Sequence, residues 1–198
     1  MSEALADRYP RQVAQADGSC EIRPLESTDT EALQAFTNSL PEHDLLFLRR
    51  DIREPKVIQA WVREAAAGHL NSLMATHEGE VIGCCAVAVD ERSFSPHVGE
   101  LRVLLAPGQR AQGLGRVLVQ ECFLLALSLG LEKLTARMTS DQQAAVTVFE
   151  DMGFHPEALL RNQVQAADGT YADLIVLSHD VAAVQAKLEL YGLAEAFD

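Results

Sequence analysis

One stretch limits what this chain can fold into more than any other. Glu100-Leu101-Arg102-Val103-Leu104-Leu105 is an apolar β run ended by Ala106-Pro107-Gly108. After the turn Arg110-Ala111-Gln112-Gly113-Leu114-Gly115 an apolar helix runs from Leu114 to Leu129 and stops at Gly130. A strand that passes through glycines into a helix aims unpaired N–H groups and the positive end of the helix dipole at one point. That point suits a phosphate. Gly113 and Gly115 carry no Cβ, so the backbone can approach a diphosphate closely, and the dipole adds about 0.3–2 kcal/mol. Residues 101–120 contain Arg102, Arg110 and Arg116 but no Asp or Glu, a cationic island in a chain of formal net charge −13. Two readings stand: an anion site, or a tight turn flanked by solvated arginines.

Other phosphate motifs fit worse. A Walker loop needs Lys and Ser or Thr after its last glycine, whereas Leu114 and Gly115 follow Gly113. A dinucleotide fingerprint needs a third glycine where Leu118 stands. Composition narrows the field further. A length of 198 residues with 48% apolar residues is enough for one domain with a full core, which hides roughly 70% of the unfolded surface. The acidic excess, 29 Asp and Glu against 16 Lys and Arg, argues against nucleic acid and anionic membranes as partners. Cys20, Cys84, Cys85 and Cys122 form no CxxC pair, and the histidines show no metal spacing, so neither a disulfide framework nor a metal is expected. Met1 to Arg8 lacks an apolar signal core, and the expected location is cytoplasmic.

The remaining chain alternates strand and helix patterns. Residues 1–18 read as a flexible lead-in. Cys20–Leu25 reads as an edge strand, and a Thr28–Glu31 capping box opens a helix carrying Leu33, Phe36 and Leu40. Pro41 ends it, and a second helix runs from Pro55 to Gly68. Ser72–Thr76 and Val81–Val89 form a hairpin at Glu78-Gly79, followed by the strand at Glu100–Leu105, the apolar helix and a strand at Lys133–Met138. Gln142–Met152 is helical, Phe154–Gln165 and Tyr171–Ser178 form a second hairpin, and Val181–Tyr191 is a last helix. The expected fold is a single mixed α/β domain over residues 19–180, with about seven strands flanked by helices and a C-terminal helix and tail at 181–198.

Leu105 to Gly115 resembles the acetyl-CoA signature of the GNAT superfamily of N-acetyltransferases, Arg/Gln-x-x-Gly-x-Gly/Ala. Ala145-Val146-Thr147-Val148-Phe149-Glu150-Asp151-Met152-Gly153-Phe154 is similar to that family's later Asn-x-x-Ala-x-x-Leu-Tyr-x-x-x-Gly-Phe segment. The likeness covers about residues 20–180. It implies transfer of an acetyl group from acetyl-CoA to a primary amine in a ternary complex, without a metal. It implies further that backbone groups of Val103, Leu104 and Leu105 hold the pantetheine arm and that N–H groups of residues 111–116 hold the pyrophosphate, beside Arg110. Those residues are Ala111, Gln112, Gly113, Leu114, Gly115 and Arg116. A bulge would splay the strand at Glu100 from the one at Lys133, and the N–H of Leu104 or Leu105 would polarise the thioester carbonyl. The acceptor is an amine on a small molecule or a protein, and a homodimer stays open.

Two positions depart from the family pattern. Phe149 stands where the usual Tyr protonates the leaving thiolate, and Gln142 stands where Asn is usual. Phenylalanine has no proton to give, which leaves Tyr171, a water or no acid, and keeps a noncatalytic acyl-CoA-binding module as the alternative. An ammonium of ordinary pKa costs about 4.6 kcal/mol to deprotonate at pH 7, so a base or water chain is needed. Alternation puts Glu100 on one face with Arg102 and Leu104, as base or as a partner of Arg102. His97 is a second candidate base. His43, Asp44, Asp51 and Glu54 lie on the connector that covers the acceptor site in this superfamily, either holding a cationic amine or simply solvated. Cys84 and Cys85 read as core.

Overall fold

The computed structural model describes residues 7–15, 18–110 and 112–184. Among the described residues eight strands form one sheet, in the order β1-β2-β3-β4-β5-β6-β8-β7. They are β1 (Arg11–Gln15), β2 (Gly18–Pro24), β3 (Asn71–His77), β4 (Glu80–Val89), β5 (Val98–Leu105), β6 (Lys133–Thr139), β7 (His155–Gln165) and β8 (Tyr171–Asp180). Each neighbouring pair is antiparallel except β5 with β6. The helices are α1 (Thr30–Ser39), α2 (Pro55–Ala66), α3 (Leu114–Ser128) and α4 (Gln143–Asp151).

Strand alternation divides the core between the two faces of the sheet. Cys85, Val87, Leu101, Leu134 and Ala136 pack with Leu118, Cys122 and Leu125 of α3 and with Val146 and Phe149 of α4. On the other face Met74, Cys84 and Leu104 pack with Leu33 and Phe36 of α1, Ile58 and Val62 of α2, and Leu45, Phe47 and Ile52 of the connector between them. Cys84 and Cys85 therefore look to opposite cores, both buried, and burial pushes the Cys84 thiol up. A neutral buried thiol is packing material, as the alternation implies.

Two expectations need correction. The sheet has eight strands rather than about seven, because Arg11–Gln15, inside the expected lead-in, pairs with β2 from Arg11 opposite Ile22 to Gln15 opposite Gly18. Its anchor is long-range: Arg8, Tyr9 and Arg11 all reach Glu121 of α3, a link that local pattern does not display. The capping arrangement sits earlier than Thr28–Glu31, since Asp29 Oδ2 accepts the Glu26 N–H at 2.7 Å while Arg23 grips both Asp29 oxygens at 2.7 Å. Of the last helix, residues 181–184 are helical. Residues 185–191 lie outside the described residues, as do 1–6, 16 and 17 of the lead-in.

Candidate active site

β5 pairs with its two neighbours over different lengths. With β4 it pairs from Gly83 opposite Leu105 to Val89 opposite Gly99, without interruption. With β6 it pairs only from Val98 opposite Lys133 to Leu101 opposite Ala136, while β6 continues against β8 as far as Thr139 opposite Leu174. The two parallel strands therefore part after Leu101. The splay is present but the expected bulge is not, since β5 pairs with both neighbours without a register shift; the gap lies between Arg102–Leu105 on one side and Arg137–Thr139 on the other.

Backbone direction in this gap follows from the register. The Ala106 N–H donates to the Ile82 carbonyl at 2.9 Å. Polar groups of an antiparallel ladder alternate, so Leu104 and Arg102 present theirs to β4, and Val103 and Leu105 present theirs to the gap. Leu104 is thus corrected as a backbone contact: it spends its N–H on β4 and its side chain on the α1–α2 core. Val103 and Leu105 offer two donors and two acceptors at the edge of an open strand.

Beyond Leu105 the chain makes a short 3₁₀ turn, Pro107–Gln109, and enters α3 through Gly113. Gly113 has φ +87°, the left-handed region that glycine tolerates best, and a Cβ there would meet no atom within 4 Å. A Cβ on Gly115 would lie 3.2 Å from Leu105 Cδ1, so the first turn of α3 sits tightly on the end of β5. Among the described residues no side chain caps α3, and its first turn carries no acid. Its first intrahelical bond runs from the Val117 N–H to the Gly113 carbonyl, which leaves the Leu114, Gly115 and Arg116 N–H groups without helical partners. An uncapped start on a 15-residue helix beside an open strand edge fits a diphosphate followed by an amide-bearing arm. Gln112 lies in the same turn, its side chain donating to the Gly108 carbonyl at 3.0 Å, while Ala111 lies outside the described residues.

The cationic island is largely neutralised in space. Arg110 pairs with Asp44 of the connector, Arg116 with Asp151 at 2.9 Å and Arg102 with Glu100 at 2.8 Å. Anion attraction at the turn therefore rests on backbone N–H groups more than on free guanidiniums. Of the connector's other acids, Asp51 is gripped by Arg53 at 2.7 Å, which holds its carboxyl below the usual range, and the Glu54 carbonyl caps the start of α2. His43 Nε2 lies 3.1 Å from Thr139 Oγ1 and 3.2 Å from Asp141 Oδ2, at the open end of the gap.

Glu100 shares a face with Arg102, as alternation implies, but its surroundings are richer than the sequence shows. Arg137 Nη2 of β6 lies 3.8 Å and Arg49 Nη2 of the connector 4.0 Å from its Oε2. His97, by contrast, precedes the paired end of β5, where its carbonyl accepts the Glu132 and Lys133 N–H groups. The exposed ring is at the closed end, away from the gap. Gln142 is the residue before α4 and lends its carbonyl to the Ala145 and Val146 N–H groups. Phe149 is 7% exposed and packs on Phe154. Tyr171 is 60% exposed at the start of β8, three residues before the Leu174 that faces Thr139. Among the described residues no group of three or more His, Cys, Asp or Glu is placed to hold a metal. No described helix is long and apolar enough to cross a membrane.

This arrangement recurs in known proteins. A search of curated proteins returns no match to the sequence. The fold of an acetyltransferase of the GNAT family from Streptococcus pneumoniae aligns at TM-score 0.71 and 22% identity, over 81% of this chain and 99% of that one. A GNAT superfamily phosphinothricin acetyltransferase from Sinorhizobium meliloti, solved in complex with acetyl-CoA, aligns at 0.69 and 17%, over 81% and 88%. A chimeric spermidine N-acetyltransferase from Vibrio cholerae SpeG and hSSAT aligns at 0.67 and 17%, over 83% and 96%. At such identities these likenesses speak for the fold. The sequence itself matches the family model described as Acetyltransferase (GNAT) family over residues 31–154, which spans the connector, the strand that parts from β6, the glycine turn and α4. The chain belongs to the GNAT acetyltransferase family.

Proposed function

We propose that this protein transfers an acetyl group from acetyl-CoA to a primary amine by direct attack within a ternary complex. The observation that carries the reading is the parting of β5 from β6 after Leu101, directly before an uncapped helix start. Acetyl-CoA supplies an activated acyl group as a thioester. The N–H groups of residues 112–116 bind its diphosphate, with Arg110 and Arg116 flanking. Val103 and Leu105 add their backbone groups to the arm as a neighbouring strand does. The Leu105 N–H is the donor for the carbonyl oxygen on which negative charge grows, and loss of such a donor typically costs about 2.7–4 kcal/mol. Glu100 receives the acceptor's ammonium and takes up its proton, directly or through water. The amine then forms the new C–N bond as the C–S bond breaks and thiolate leaves.

A second reading, a noncatalytic acyl-CoA-binding module, draws on Phe149: a buried ring without a proton stands where the family's thiolate acid is usual. Acetyl-CoA turnover with a panel of amines, read as free thiol, separates the two. Amine-dependent thiol release is expected. Binding of acetyl-CoA with no release for any amine favours the binding module.

A further inference from the structure

One carboxylate, Glu100, faces three guanidiniums drawn from three elements. Arg102 Nε of β5 donates to it at 2.8 Å, with Arg137 Nη2 of β6 at 3.8 Å and Arg49 Nη2 of the connector at 4.0 Å. The cluster holds two more positive charges than negative in a chain whose net charge is −13. Arg137 Nε is buried with no hydrogen-bond partner, and among the described residues neither Arg49 nor Arg137 donates a side-chain hydrogen bond. Buried donors left unmade are costly unless something supplies an acceptor.

The cluster borders a cavity of about 260 Å³ that shares Arg49 and Arg102 with it. Leu104 and Cys84 form part of the cavity's floor, and Trp61 of α2 lies in its wall. Arg50 also lines it, and the acid in its lining, Glu64, is engaged by His69 at 3.2 Å. These groups lie on the face of β5 opposite α3. Arg102 is four residues of chain before Ala106, more than about 10 Å of strand from the glycine turn, so this charge does not serve the diphosphate.

We propose, on the basis of the acetyltransferase reading above, that the acceptor is a small amine of amino-acid size that also carries a carboxylate or a similar oxyanion. The oxyanion takes the hydrogen-bonding forks of Arg49 and Arg137 beside Arg102, the ammonium faces Glu100, and the apolar cavity takes the side chain. Guanidinium forks match carboxylates in geometry as well as charge. A polycation meets three guanidiniums around the one carboxylate of this cluster, and the nearby Asp44, Asp51 and Glu64 are engaged by Arg110, Arg53 and His69.

The test offers α-amino acids, their matched carboxamides and spermidine as acceptors, with thiol release as readout and calorimetric titration into the CoA-loaded protein in parallel. The expected result is a KM at least about tenfold lower for the best amino acid than for its carboxamide, with spermidine no better than the carboxamides. Arg137→Gln and the exposed Arg49→Gln should each raise that KM by roughly tenfold and so narrow the difference between the amino acid and its carboxamide, whatever they do to kcat through Glu100. Equal use of carboxamides or spermidine, or no change in either variant, overturns the proposal. If no amine releases thiol, calorimetry decides: binding of an amino acid but not its carboxamide, lost in Arg49→Gln, keeps the oxyanion site and removes the transfer reading. Binding of neither removes the oxyanion site.

Discussion

Arg110 and Asp44 form an ion pair that ties the turn ahead of α3 to the connector between α1 and α2. The guanidinium is half exposed and the carboxylate mostly covered, so the pair competes with any anion that approaches the turn. Asp44→Asn should release Arg110 toward the diphosphate and tighten acetyl-CoA binding by up to about fivefold, the scale of one partly exposed pair. Calorimetry at low and high salt checks this. The gain should shrink as salt rises.

Gly113 and Gly115 serve the same end of α3 in different ways. Open space above Gly113 means that Gly113→Ala costs the fold mainly its left-handed backbone, about 1–2 kcal/mol. In the proposed binding mode the added methyl stands where the diphosphate approaches. Acetyl-CoA affinity is expected to drop tenfold or more while circular dichroism stays unchanged. Unaltered affinity in a folded variant would remove the turn from the cofactor site.

Much of this fold is legible in the sequence because each element keeps its own period between Gly and Pro stops, from Pro41 and Pro55 to Gly130 and Gly153. The splay follows from family likeness, and its backbone directions do not. These depend on the β4–β5 register, which turns Leu104 away from the gap. The cationic island misleads for a related reason. The partners of Arg110 and Arg116 lie 66 and 35 residues away, so a window of sequence sees the guanidiniums and misses the acids. Arg137 is readable by parity alone, on one face with Thr135 and Thr139, but only the pairing of Glu100 with Thr135 brings it to Glu100. β1 stayed hidden because its anchor, Glu121, sits in the middle of an apolar helix.

Glu121 is buried in α3 and bound by Tyr9 at 2.7 Å, by Arg8 at 3.2 Å and by Arg11. Burial alone would push its carboxyl up, but the Arg8 and Tyr9 hydrogen bonds outweigh burial and hold it below the ordinary glutamate range. Its stabilising contribution is therefore complete above the unfolded-state value and is lost as pH falls through the lowered one. Glu121→Gln should cost about 1–2 kcal/mol near neutral pH, discounted because both arginines are over a third exposed. The gap between wild type and variant in urea melts should narrow in acid. A gap that widens there would contradict the clasp.

Phe149 meets Phe154 edge to face, with ring centroids 5.1 Å apart at 79°. Phe149→Tyr adds a hydroxyl at a core position, and an unmet hydroxyl costs about 1–3 kcal/mol. Turnover should change less than tenfold, since thiolate is a good leaving group. A gain above about a hundredfold would show that protonation of the thiolate limits the reaction and that the missing phenol is the cause.

Initial rates of thiol release with acetyl-CoA and an active amine varied together test the central claim most directly. Direct attack in a ternary complex predicts double-reciprocal lines that intersect, and thiol that forms only when the amine is present. Parallel lines, or a burst of thiol stoichiometric with the protein before any amine is added, would mean an acyl group carried on the protein and would contradict this account.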